Sequence, residues 1–145
     1  MRLRRDRLSV RNASTGALFD DEPLIALSDE PRPRVLAIGT AARAAGARCV
    51  NPFQHPRILI ADFLVAEVLL KYAYRAVSPH GWLVPSPVAV GHVLERLDGG
   101  LSQIERRALM ELLEGAGARS AFLWEGRELT DAELHAGAYR TAVPS

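Results

Sequence analysis

The chain has 145 residues, which is close to the usual length of one domain and enough to bury one hydrophobic core. Its 18 basic and 17 acidic residues nearly cancel, which excludes a nucleic-acid-coating protein, and its single cysteine, Cys49, excludes a disulfide framework or a cysteine-based zinc site. No apolar run reaches the roughly 18 residues of a membrane span and no signal segment opens the chain, so we expect a soluble cytoplasmic protein.

Residues 1–7 form a short basic start that contains four arginines, Arg2, Arg4, Arg5 and Arg7. Near an anionic membrane surface, each arginine contributes roughly 1 kcal/mol of attraction. No long amphipathic face follows these residues. We therefore expect at most a weak membrane-surface contact, beside the simpler interpretation of a solvated chain start.

The first forty residues are predicted to be rich in short strands. Leu8–Val10 and Ala17–Phe19 flank a turn-forming Asn-Ala-Ser-Thr-Gly run, which is typical of a hairpin. Leu24–Leu27 and Val35–Ile38 are apolar segments that we also predict as strands. Thr40 is predicted to cap a short alanine-rich helix that follows it.

The clearest helix is predicted over Ile60–Ala76. Apolar residues recur there at helical spacing and should form its buried face: Phe63, Ala66, Leu70, Ala73 and Val77. Val88–Val93 is a nearly continuous apolar run, which is typical of a buried strand.

Two capping-box patterns predict helix starts in the last third of the chain. The first begins at Ser102 and opens a helix that should bury Ile104, Ala108 and Leu112 and stop at a Gly-Ala-Gly run. Ala121–Trp124 is a predicted strand, and the second capping box begins at Thr130.

The order of these elements predicts an α/β fold. We expect one mixed sheet, built from strands near Leu8, Ala17, Leu24, Val88 and Ala121. Two helices, Ile60–Ala76 and Ser102–Glu114, should cover it.

The residues that could take part in catalysis or bind a metal are dispersed along the sequence. The histidines have no metal-ligand spacing: His55, His80, His92 and His135. The serines considered as nucleophiles lack a nucleophile-elbow context: Ser14, Ser86 and Ser102. Among the candidate carboxylates Asp62, Glu67, Glu105 and Glu125, only Glu125 directly follows a predicted strand, where catalytic residues of α/β folds often lie. These residues predict no metal site and no cofactor site.

Several short motifs occur in a fixed order along the chain: Glu22–Leu27, Asn51–Arg57, Ile60–Phe63, Val65–Glu67, Pro85–Pro87, Ile104–Ala108, Glu114–Arg119 and Phe122–Glu125. Together they resemble the N-terminal lobe of the MreB family, the bacterial actin-like rod shape-determining proteins. The resemblance implies one lobe of an actin-like, ribonuclease-H-like fold. It divides a single domain, 1–145, into the basic start 1–7, a matching region 8–125 and a divergent tail 126–145.

The chain departs from this family at the positions that bind ATP. MreB proteins are more than twice this length and close a nucleotide between two lobes. Leu8–Asn12 resembles the second strand of the family, so the first strand and its Asp-Leu-Gly-Thr-type loop, which binds phosphate and metal, are expected to be missing. Glu125 aligns with a family glutamate that helps position the attacking water, but Gly126-Arg127-Glu128 replaces the proline and small residues that normally follow.

Phosphoryl transfer needs the metal, the phosphate cradle and the positioned water together. The resemblance therefore implies a short cell-shape protein that is not an enzyme, has no cofactor and keeps Glu125 without a catalytic role. It implies protein partners, with full-length MreB filaments among them, and a place in the cytoplasm at the inner face of the membrane. Two alternatives stay open: a ribonuclease-H-like enzyme domain, which needs acidic metal ligands on its first strand, and a truncated or decayed fragment of an actin-like ATPase.

A missing first strand would leave Val88–Val93 without a partner on one side, and buried unpaired backbone groups cost roughly 1–3 kcal/mol each. Three outcomes are open. Leu8–Val10 closes directly on Val88–Val93, a strand from another molecule is added, or translation starts upstream of Met1. We favour the upstream start, because the match begins in the middle of a hairpin.

Overall fold

The computed structural model describes residues 1–80, 84–95 and 99–141. In chain order, the strands are β1 (Arg2–Leu3), β2 (Leu8–Arg11), β3 (Leu18–Asp21), β4 (Ile25–Leu27), β5 (Val35–Ile38), β6 (Arg48–Val50), β7 (Val88–Val93) and β8 (Ser120–Trp124). The α-helices are α1 (Phe63–Val77), α2 (Gln103–Gly115) and α3 (Asp131–Ala136), and two 3-10 helices span Gly39–Ala44 and Ala138–Thr141. In the described part of the chain, every helix is too short or too polar to cross a bilayer.

The main sheet has five strands in the order β3-β2-β1-β7-β8. β2 and β3 form the predicted hairpin, and β7 and β8 run parallel. β1 lies at the centre, where Arg2 pairs with His92 and Leu3 pairs with Val93. The expectation that the first strand is missing is therefore wrong, and β2 does not close directly on β7. The basic start supplies the strand because Leu3, fully buried, anchors it in the core.

A second sheet has three strands in the order β5-β4-β6. The segment predicted as a strand at Leu24–Leu27 forms β4, but it belongs to this small sheet and not to the mixed sheet. β4 is the central strand, antiparallel to β5 and to β6, and all three of its residues are buried. The strand β6 was not predicted, because only its pairing with β4 marks it as a strand.

The core lies between the main sheet and helices α1 and α2. It includes Leu3 and Leu8 from the sheet and Phe53 from the irregular segment before α1. The helices contribute Ala66, Leu69, Leu70, Ala73, Leu109 and Leu112. α1 begins at an N-cap, Asp62, whose side chain accepts from the Val65 N–H at 3.0 Å.

Both predicted capping boxes are present, at Ser102 and Thr130. Three residues predicted to be buried are not: Ile104 is 82% exposed, Phe63 is 36% exposed and Ala108 is half-buried. Ile104 and Phe63 lie in the first turn of their helices, whose buried side chains begin only at Leu109 in α2 and at Ala66 in α1.

A close contact joins the two sheets at Asp21, the last residue of β3. Thr40 does not cap a helix as predicted; its N–H and hydroxyl both donate to Asp21 Oδ1, at 3.0 and 2.5 Å. Gly39 precedes it with φ +75°, a conformation that favours glycine, and a Cβ at Gly39 would overlap the Asp21 carboxylate. Gly39 therefore sets how closely the small sheet approaches the main one.

We expect Gly39→Ala to lower the free energy of unfolding by about 2–3 kcal/mol. The left-handed backbone costs about 1–2 kcal/mol for alanine, and the methyl group must also displace Asp21 from its hydrogen bonds with Thr40. Gly46→Ala is the matched control, because Gly46 has φ +65° but open space around its Cβ position. Urea unfolding of both variants tests this, and equal losses would contradict the close contact.

Candidate functional site

The edge where the parallel strands β1, β7 and β8 end is the site that the fold offers for chemistry, because open α/β sheets bind ligands outside the carboxyl ends of their strands. β7 leads to Glu95 and β8 leads to Glu125. The Arg5 N–H, in the connection after β1, donates to Glu95 Oε1 at 2.7 Å. The Asn51 side-chain amide donates to the Arg5 carbonyl at 2.7 Å and fixes this connection from the other side.

The connection between β1 and β2 is a tight turn, Arg4–Arg7, closed by a hydrogen bond from the Arg4 N–H to the Arg7 carbonyl at 2.8 Å. It occupies the position at which the MreB resemblance implies a phosphate- and metal-binding loop. Three of its four residues are arginines, and it contains no glycine. Guanidinium groups repel a metal cation. The turn therefore differs in charge and in glycine content from the loop that the resemblance implies.

The basic start is largely neutralised within the chain. Three of its arginines have carboxylate partners: Arg2 with Glu128 at 3.3 Å, Arg5 with Glu95 at 4.0 Å and Arg7 with Asp20 at 2.8 Å. The hydrogen-bonded contact between Arg7 and Asp20 lowers the pKa of the aspartate and raises the pKa of the arginine. Arg4 is exposed.

Glu125 lies immediately after β8, as the sequence predicts, and its side chain is 47% exposed. Arg106, on α2, holds it through a contact of 2.6 Å between Nη2 and Oε1. The contact occupies one oxygen of the Glu125 carboxylate and leaves it less free to orient a water molecule. Sequence analysis missed this partner, because nineteen residues separate it from Glu125 and no local pattern joins the two.

The other candidate residues have structural roles or stand apart. Asp62, Ser102 and Glu105 cap helices, and Glu67 pairs with Lys71 at 3.0 Å on α1. Ser86 is exposed.

Two of the four histidines, His92 and His135, line the same cavity, and His55 and His80 do not. His55 Nδ1 accepts from the N–H groups of Arg57 and Ile58, His80 is exposed, and His135 lies 3.3 Å from the Ser14 hydroxyl. His92 is buried in β7, and its burial lowers its pKa. Across residues 1–80, 84–95 and 99–141, no three His, Cys, Asp or Glu side chains are placed to hold a metal ion.

An open cavity of about 610 Å³ lies at the opposite end of β1, beside Met1. It is lined by β2 and β7, by Leu70 and Tyr74 of α1, and by Leu134 and Tyr139 near the end of the described chain. The Met1 amine is buried there and donates to the Val90 carbonyl at 2.8 Å. Burial, and to a lesser degree the charge of Arg2, lower its pKa from 8.0 to about 5. Sequence analysis missed this cavity, because its walls come from segments that lie far apart in the sequence.

Comparison with known proteins identifies relatives of the chain. The cell shape-determining protein MreB of Haemophilus influenzae is 42% identical over 119 residues, and that of Pasteurella multocida is 30% identical over 119 residues. Each match covers 76% of this chain and 32% of the relative, so the chain spans about one third of the length of these MreB proteins. No protein-family model matches the chain.

Among solved structures, MreB5 of Spiroplasma citri bound to ADP matches 83% of this chain and 35% of that chain, with a TM-score of 0.63 and 20% sequence identity. The fold therefore defines the class: one lobe of the actin-like fold, in which helices pack on a mixed sheet. Within that class the chain is MreB-like, and the sequence matches confirm the resemblance seen in its motifs.

Proposed function

We propose that this chain is an MreB-like, rod shape-determining cytoskeletal protein that acts through protein–protein contacts and does not hydrolyse ATP. The observation that carries the proposal is the Arg4–Arg7 turn at the end of β1, in a chain otherwise similar to MreB over most of its length. We further propose that residues 1–145 act as one lobe, with 126–145 as a divergent tail, in the cytoplasm beside the membrane-associated filament.

Two side-chain arrangements support a loss of ATP chemistry. Arginines occupy the turn at which the family resemblance implies phosphate and metal binding. The carboxylate of Glu125 forms an ion pair with Arg106. Ion pairing of Arg2, Arg5 and Arg7 argues against direct membrane contact through the basic start, so that contact is not part of the proposal.

We propose that the contact surface for a full-length MreB filament is the outer face of α1. Leu64, Val68 and Tyr72 follow one another at a spacing of four residues, which places them in one stripe along the helix. They are 73%, 42% and 52% exposed. A row of exposed apolar side chains is typical of a protein-interaction surface, and we call these three residues the α1 stripe.

Co-sedimentation with purified full-length MreB filaments tests this function. We expect the wild-type chain to pellet with the filaments and the double variant Leu64→Glu, Val68→Glu to stay in the supernatant. Leu18→Glu is the matched control, because Leu18 is 58% exposed but lies on β3, outside the α1 stripe. Failure of the wild-type chain to pellet would overturn the proposed function, and equal loss in the control would overturn the proposed surface.

We expect millimolar ATP with magnesium to leave the melting temperature unchanged within about 1 °C. A ligand at 100 times its dissociation constant stabilises a protein by about 2.7 kcal/mol, which raises the melting temperature of a chain of this size by several degrees. Differential scanning fluorimetry with and without MgATP makes the measurement, and magnesium chloride alone is the control. A rise of several degrees would mean that a working nucleotide site is present.

A further inference from the structure

The outer edge of β3 is open in the part of the chain that the structure describes, because β3 is the last strand on its side of the main sheet. The Asn12 N–H donates to the Ala17 carbonyl, and this pair continues the register of β2 and β3. Alternate residues of an antiparallel strand direct their backbone groups to opposite edges. Phe19 therefore bonds to β2, whereas Leu18 and Asp20 present their N–H and C=O groups at the outer edge.

This edge lacks the usual protection against pairing. Natural sheet edges are often protected by bulges, prolines or lysines. β5, an edge of the small sheet, shifts its register opposite Ala26 and Leu27. β3 has a regular register and contains no proline or lysine. Its Asp20 is paired with Arg7, whose Nη2 lies 3.5 Å from the Asp20 carbonyl, at the limit of a hydrogen bond. The edge is therefore able to accept a further strand.

An apolar flank of α1 lies beside the β3 edge. The rings of Phe19 and Tyr72 meet with their centroids 6.0 Å apart, so the flank of α1 nearest β3 is the one that carries Tyr72. Helical spacing places Val65, Val68 and Ala76 on the same flank. Val68 is 42% exposed, Tyr72 is 52% exposed and Ala76 is exposed. The flank presents apolar surface without a charged side chain.

The partner that fits this edge is a second copy of the chain. With a two-fold axis at Phe19, Leu18 of each copy stands opposite Asp20 of the other, and the outward N–H and C=O groups of both residues are paired. Phe19 then stands opposite its own copy on the helix side. Like charges directly opposite one another destabilise a sheet pair. This register keeps the two aspartates apart, whereas a register centred on Asp20 brings them together.

The same axis brings the two copies of α1 side by side. α1 packs on both β2 and β3, so its axis lies about half a strand spacing inside β3. With strands about 4.8 Å apart, the two helices are about 9.6 Å apart, which matches the roughly 8–10 Å of packed helices. Because the axis lies next to Tyr72, Val68 of one copy is near Ala76 of the other. A charged partner would find no charge to pair with on this flank.

We propose that two copies of this chain associate through the β3 edge, so that their main sheets join and the apolar flanks of α1 pack against each other. This association does not rest on the function proposed above. Val68 and Tyr72 also belong to the α1 stripe. A second copy and an MreB filament therefore compete for the same helix.

Sedimentation velocity of the full chain tests the association. At concentrations up to about 0.2 mM we expect a species of twice 15.8 kDa, whose share rises with concentration. A monomer at every concentration would overturn the proposal. Oligomers that grow beyond the dimer would overturn the closed two-fold pair.

Charge exchange on α1 tests the surface. The double variants Val68→Lys, Ala76→Lys and Val68→Glu, Ala76→Glu each place like charges opposite one another across the axis. Lysine and glutamate both suit an exposed helix. Each variant alone should dimerise at least about tenfold more weakly than the wild-type chain, and an equimolar mixture should restore a dimer of one copy of each.

The mixture is also the control for folding, because misfolded variants would not recover. Wild-type affinity of either double variant alone would overturn the packing of α1 against its copy. Absence of recovery in the mixture would overturn it as well.

Hydrogen exchange reports on the strand pairing itself. The amides of Leu18 and Asp20 should exchange at least about tenfold more slowly at concentrations where the dimer forms than in dilute solution. The Phe19 amide, which bonds to β2, is the matched control and should change little. Unchanged exchange at Leu18 and Asp20 in a sample that does dimerise would overturn the β3 junction.

Discussion

We expect Leu109→Ala to lower the free energy of unfolding by about 3 kcal/mol. Leu109 is fully buried and belongs to the core shared by α1, α2 and the main sheet. Replacing a buried leucine with alanine removes apolar burial and leaves a cavity, and the two effects together cost about 2–5 kcal/mol. Urea unfolding followed by circular dichroism at 222 nm measures the loss.

Ile104→Ala, on the same helix, is the matched control. Ile104 is 82% exposed, so its removal should change the free energy of unfolding by no more than about 0.5 kcal/mol. Alanine is also the better helix former. The capping box of Ser102 and Glu105 is untouched in both variants. A loss at Ile104 as large as that at Leu109 would contradict the exposure of the first turn of α2.

The second large effect is a loss of stability on acidification from pH 8 to pH 5. Burial lowers the pKa of the Met1 amine from 8.0 to about 5, so between these values the unfolded chain binds a proton that the folded chain does not. The contribution of the Met1 amine to the free energy of unfolding is therefore fully present above pH 8 and is lost as the pH drops to 5. Three pKa units correspond to at most about 4 kcal/mol.

His92 adds to this loss in a narrower window. Its pKa is lowered from 6.5, first by burial, so its contribution disappears only as the pH falls below 6.5. The hydrogen-bonded contact with Arg127 lowers the pKa of Glu133 to about 2, which is outside this interval. The interval between pH 8 and pH 7 therefore reports on the Met1 amine.

Acetylation of the Met1 amine distinguishes its contribution to the pH dependence from that of His92. The acetylated chain should show a flat free energy of unfolding between pH 8 and pH 7 and keep the loss below pH 6.5. Urea unfolding at half-unit pH steps makes the comparison. A flat profile from pH 8 to pH 6 in the unmodified chain would contradict the burial of its amine.

Local patterns in the sequence predicted much of the fold. The β2–β3 hairpin and the capping boxes at Ser102 and Thr130 depend on residues that lie within a few positions of one another. β1 and β6 were missed because each is defined by a partner strand that no neighbouring residue indicates. Ile104 fits the helical periodicity of α2, but periodicity does not show where along a helix the packing begins.

The residues of the candidate site fall into the same two groups, those that a local signal predicts and those that only the folded chain brings together. Glu125 was placed correctly because it follows an apolar strand, which is a local signal. Its partner Arg106, and the Glu95 carboxylate that receives the Arg5 N–H, come from segments that only the folded sheet brings together.

The central position of β1 delays part of the folding of the main sheet while the chain is synthesised on the ribosome. Arg2 and Leu3 can pair with His92 and Val93 only after the chain has been made through β7. At about 5–20 residues per second, the first residues wait roughly 5–20 s for that partner. The hairpin of β2 and β3 and the small sheet need no such delay, because their strands are near neighbours along the chain. During this interval the inner edge of β2 stays open on the nascent chain, and a chaperone that shields it would raise the yield of native protein.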